Sequence, residues 1–150
     1  MLHGPEQLDN RVPDEYEFGR LKLGRVLEWL PEEGALFWDV FDPNRQEAPI
    51  GDLEVNYRYG QQQVRVGNVA VYNFLNQGYG KEIYEAVPKM LLPSGETFTD
   101  TDFEFMTVAH SDKANRVWES FVRQGKAIRL DPNKREYIWI KEIGLQKRPK

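Results

Sequence analysis

The chain contains no cysteine, which excludes disulfides, a thiolate nucleophile and thiolate metal ligation. Histidine is nearly as scarce. Only His3 and His110 are present, too few for a multi-histidine metal centre, so no metal site is expected. Serine and histidine occur too sparsely to suggest a triad. No apolar run approaches a membrane span, and the opening MLHGPEQLDN has neither the basic start nor the hydrophobic stretch of a signal peptide. The expectation is a cytoplasmic protein with no membrane partner. An excess of positive charge is also missing: at a formal net charge of −4 there is no global pull toward nucleic acid, which weighs against such a partner and leaves only a local basic patch open.

What is present describes a folded domain. Hydrophobic residues at 40% and charged residues at 29% balance as in soluble globular proteins, and an aromatic content of 13% argues against disorder. A length of 150 residues suits one core and is short for two, so residues 1–150 are expected to form a single domain. Residues 1–13 read as an irregular lead-in and 144–150 as a basic, solvated tail. Asp14 to Leu30 partly fits a helix capped by Asp14, with a strand over Tyr16–Leu23 and a short helix as the alternative. ALFWDVFD reads as a strand. Gly51–Arg58 alternates cleanly, with Leu53, Val55 and Tyr57 facing one way and Asp52, Glu54, Asn56 and Arg58 the other. A strand over Asp102–Val108, a helix over Ser111–Gln124 and a final hairpin around Asp131-Pro132-Asn133 complete the order. The acidic run Asp100, Asp102 and Glu104 is read as a solvated face.

Everything else is arranged around Val64–Leu92: an apolar strand, a polar loop with two glycines, then an amphipathic helix. Val64 and Val66 share one parity and Val69 and Val71 the other, so the alternation slips at Gly67-Asn68, which suggests a β-bulge or a strand buried on both faces. Gly78 and Gly80 leave the amides of Asn76–Lys81 uncovered where a helix begins, an arrangement suited to an anion such as a pyrophosphate. Pro88 should kink or stop that helix.

The segment Asn76-Gln77-Gly78-Tyr79-Gly80-Lys81, with its strand and helix, resembles the acyl-coenzyme A loop of the GCN5-related N-acetyltransferase superfamily, whose pattern begins with Arg or Gln; Leu75 holds that position here. Ser111 to Glu119 resembles the superfamily's later motif through Ala114 and Glu119, and RVWESFVRQG resembles small acetyltransferase-like proteins of bacteria and bacteriophages. The matching regions span Gly51–Gly125. The resemblance implies an α/β chain of α+β type, a central twisted mixed sheet with helices on both faces. It implies acetyl-coenzyme A as co-substrate and an unidentified amine as acceptor. Pantetheine would pair near Val69, Ala70 and Val71, with Asn76, Gln77, Gly78, Tyr79, Gly80, Lys81 and Ser111 completing the cofactor-binding set. The tyrosine that protonates the departing sulfur in the family is replaced by Trp118, whose indole cannot do so, and Trp118 is expected in the core. Glu54 is the first candidate for the base and His110 the second. A homodimer is compatible with the sequence. The competing reading is a catalytically silent protein of this fold that binds a protein or nucleic-acid partner.

Overall fold

The computed structural model describes residues 12–26, 34–131 and 133–141; the lead-in over 1–11, the tail over 144–150 and Pro132 at the last turn lie outside the described residues. Eight strands form one mixed sheet in the order β1-β2-β3-β4-β5-β6-β8-β7. They are β1 (Glu15–Phe18), β2 (Leu21–Arg25), β3 (Ala35–Phe41), β4 (Gly51–Arg58), β5 (Gln63–Val71), β6 (Glu104–Val108), β7 (Ala127–Asp131) and β8 (Glu136–Trp139). Helix α1 (Tyr79–Ala86) links β5 to β6, and α2 (Asp112–Arg123) links β6 to β7. Among the described residues only β5 and β6 pair in parallel, after the crossover through α1; the second crossover, through α2, brings β7 back with β8 lying between it and β6.

The helix expected from Asp14 is instead a hairpin: β1 and β2 pair antiparallel about the turn Gly19-Arg20, with Tyr16 opposite Leu23 and Phe18 opposite Leu21. These four residues alternate on one face and bury it on Trp38 and the core, which a helix could not do with two glycines in its length. Whether a helix follows concerns residues 27–33, outside the described ones.

One face of the sheet carries the core. Leu36, Trp38, Leu53, Val55, Tyr57, Val64, Phe105 and Tyr137 all point to it and are nearly inaccessible to solvent. Both described helices pack there and touch each other through Tyr84 and Trp118, whose rings lie 5.5 Å apart in an edge-to-face contact. Helices on both faces are therefore not found among the described residues; the second face carries Asp52, Glu54 and Asn56, and such polar side chains need no covering helix. Pro88 acts as expected, since α1 ends at Ala86 and passes into a 3-10 turn over Val87–Lys89.

Helix α2 is fixed by both polar and apolar contacts. Ser111 caps it by accepting from the amide of Ala114 at 3.0 Å. Trp118 is fully buried against Phe105, Phe121, Tyr137 and Trp139. Outside this cluster the Tyr137 hydroxyl donates to Glu119 at 2.6 Å, and Arg129 grips the same carboxylate. Arg129, then Tyr137, holds Glu119 down at about 2, while burial and the carboxylate push Tyr137 up to about 12. A depressed carboxylate stabilises the fold above its unfolded value and loses that contribution as pH falls toward the folded one. Glu119→Gln should therefore lower stability at neutral pH by about 1–2 kcal/mol, the scale of a charge-assisted hydrogen bond discounted for partial exposure. The two proteins should converge as the pH approaches about 2, which thermal melts across that range would reveal.

Candidate functional site

The opening that defines the site follows from a single extra residue. Glu54 on β4 faces Asn68 and Val55 faces Val66, so Gly67 is a bulge in β5. The slip in alternation is thereby absorbed: Val64, Val66, Val69 and Val71 all reach the core face. A side chain at Gly67 would collide with its neighbours, because a Cβ there would lie 2.6 Å from the Glu54 carboxylate and 2.7 Å from Asn56 Nδ2. Beside the bulge the sheet parts. β5 and β6 pair only at Gln63–Glu104 and Val64–Phe105; beyond, β6 continues with β8, and among the described residues no strand covers that edge of β5. A cavity of about 480 Å³ lies against this uncovered stretch of β5, walled by Val69 and Val71, by the loop before α1, by Tyr79 and Tyr84 of α1, and by the first turns of α2.

The loop over Tyr72–Gly78 has an uncommon backbone. Phe74, Asn76 and Gly78 have φ of 59°, 65° and 83°, so left-handed residues alternate with ordinary ones. Such alternation turns successive N–H groups toward one side and forms an anion-binding concavity. It runs directly into α1, whose N-cap Gly78 offers no capping side chain, so the amides of the first turn remain open. Lys81, Lys113 and Arg116 line the same cavity, and no aspartate or glutamate does. In a chain of net charge −4 that segregation marks a site for negative charge.

Residues far away in sequence hold the loop in this shape. Arg20, in the β1–β2 turn, donates to the Gln77 carbonyl at 2.5 Å, pairs with Glu82 at 2.7 Å and stacks 3.8 Å over the Tyr79 ring. Arg45, in the β3–β4 connection, donates to the Gln77 side chain at 2.9 Å. Beneath them the Tyr79 hydroxyl donates to buried Asp42 at 2.6 Å; burial and that hydrogen bond raise the Tyr79 pKa. Nothing in the local sequence singled out Arg20, Asp42, Arg45 or Tyr84. A basic residue beside a turn glycine was the only available signal, and it is a common one.

The expected residues separate into two groups. Val69, Val71, Asn76, Gly78, Tyr79, Gly80, Lys81 and Ser111 line the cavity together. Ala70 points to the opposite face, paired with Asp52, and Gln77 is turned outward to Arg20 and Arg45. Glu54 and His110 are not in the cavity wall. Glu54 lies half-buried on the other face against Gly67, and His110 is exposed just ahead of Ser111. Leu75, where the superfamily pattern has Arg or Gln, is half exposed at the cavity rim. Trp118 is a core residue, as expected.

No family model matches the sequence, and no curated protein does. Among solved structures, the chain is similar to one in the crystal structure of the KacTA-DNA complex, at a TM-score of 0.50 and 15% identity over 75% of this chain and 71% of that one. The fold is GCN5-related N-acetyltransferase-like. At that identity the likeness concerns architecture alone.

Proposed function

We infer that this chain is an acyl-coenzyme A-dependent N-acyltransferase that moves an acetyl group from acetyl-coenzyme A to an amine. The observation that supports this most is that the cavity between the uncovered stretch of β5 and the two helices is open and lined by cations, where a protein using only its surface would fill it with side chains. When bound, coenzyme A would supply an activated thioester. The amides of Gln77 to Lys81, with Lys81, Lys113 and Arg116, would hold its phosphates, and the free edge of β5 at Val69–Val71 would pair with its pantetheine arm. Glu54, which rests on the bulge glycine of β5 on the face away from the helices, would take the proton of the amine, with His110 as the second choice. Trp118 is sealed in the core and donates no useful proton. Tyr84 stands in the cavity wall against it, its pKa raised by burial and opposed by the Trp118 indole; it is the neutral phenol available to protonate a departing sulfur.

A second reading, a catalytically silent binding module, draws on Leu75 and the buried Trp118. The two part company in one assay. Thiol release from acetyl-coenzyme A, followed with a panel of small amines, polyamines and lysine peptides, is expected to rise with at least one amine and to yield its acetylated product. Binding of the coenzyme without turnover on any of them would favour the silent module.

A further inference from the structure

The cleft reading leaves one residue out of place: Glu82 puts a carboxylate in the first turn of α1, where an incoming phosphate meets the same helix end. Its position is close. A Cβ built on Gly78 would lie 3.9 Å from Glu82 Oε2 and 3.8 Å from Arg20 Nη2, so the carboxylate and the guanidinium flank the helix cap together. Arg20 binds Glu82 through two atoms. Its Nε is 3.0 Å from each carboxylate oxygen and its Nη2 is 2.7 Å from Oε2, while the same Nη2 donates to the Gln77 carbonyl. The ring of Tyr79 supports the guanidinium from its other side. This geometry is over-determined for an arginine that is about one-third exposed (31%).

We propose that Arg20 is a positioning residue that keeps Glu82 from acting as an internal competitor for the anion site. Unpaired, the Glu82 carboxylate is free to turn toward the uncapped amides of α1 and to repel a phosphate there. Paired, it is neutralised and pinned outside the cavity wall. The β1–β2 turn thus completes a site built from a segment 57 residues further along the chain. The inference rests on the anion reading of the cleft.

Its test is a double-mutant cycle read by calorimetry, with coenzyme A and inorganic pyrophosphate as separate probes. Arg20→Ala is expected to weaken both about tenfold, the scale of a charge at a helix terminus. Glu82→Gln alone should bind as wild type or slightly tighter. The double variant should return to within about threefold of wild type, because removing the competitor removes the need for its guard. A double variant as weak as Arg20→Ala would overturn the proposal, since Arg20 would then act through its own charge or by bracing the loop. Unchanged affinity in Arg20→Ala would overturn it as well. If Arg20→Ala does not fold, Arg20→Gln with and without Glu82→Gln gives the same comparison, because glutamine keeps a polar side chain in the turn but removes the charge that neutralises Glu82. A wild-type protein that binds neither probe would fail at the cleft reading itself, a result distinguishable from both of the others.

Discussion

Gly78→Asp is expected to leave the protein folded and to raise the Kd of coenzyme A by about a hundredfold or more. Gly78 is the N-cap of α1, and aspartate is a favoured N-cap whose side chain accepts from first-turn amides. Space is available, since the nearest atoms to a Cβ there are 3.8 Å and 3.9 Å away. The positive φ of 83° is one that aspartate tolerates better than most residues, so the strain is modest. The new carboxylate would occupy the amides that a phosphate needs and repel it at close range. At about 5 Å and an effective dielectric of 20 this is on the order of 3 kcal/mol, or about two decades in affinity. Gly78→Asn caps the same amides without charge and should cost far less, which separates repulsion from occupation. Calorimetry on the two variants, with a melt of each, checks the claim. Wild-type affinity in Gly78→Asp would mean that the phosphates are held elsewhere.

Glu54→Gln should preserve coenzyme A affinity and slow acyl transfer by about a hundredfold, the usual worth of a positioned base. The side chain rests on the bulge glycine of β5 and stays out of the cavity that would hold the coenzyme. Glutamine keeps the shape and the contact with Gly67 but cannot accept a proton. The acidic limb of the pH–rate profile should therefore vanish with it. Turnover equal to wild type would remove Glu54 from the reaction and pass the role to His110, for which His110→Ala is the matching variant.

Strands whose chemistry is local could be read from the sequence. β4 was visible to the residue because its alternation is uninterrupted, and the bulge was visible because four valines change parity at a glycine. The β1–β2 hairpin is only partly legible, through the strand alternative over Tyr16–Leu23, because a two-residue turn splits its apolar residues into short runs whose combined spacing imitates a helix. The site divides in the same way. Gly78 and Gly80 announced the loop, and the periodic face of α2 announced Trp118 as core. The residues that hold the loop did not announce themselves. Arg45 reaches Gln77 across 32 positions and Asp42 reaches Tyr79 across 37, and only the folded sheet brings those turns beside the helix end.

The central claim is that the cavity between the uncovered stretch of β5 and the two helices holds coenzyme A. Calorimetric titration of the wild-type protein with coenzyme A tests it most directly, with dephospho-coenzyme A and inorganic pyrophosphate as partial ligands. One site per chain is expected, with a Kd of about a micromolar to a hundred micromolar, typical of a substrate-range ligand. Pyrophosphate should compete for that site and bind more weakly, because it reaches the loop amides and cations but not the free edge of β5. Absence of heat with coenzyme A at millimolar concentration, or binding that pyrophosphate fails to displace, would contradict the account.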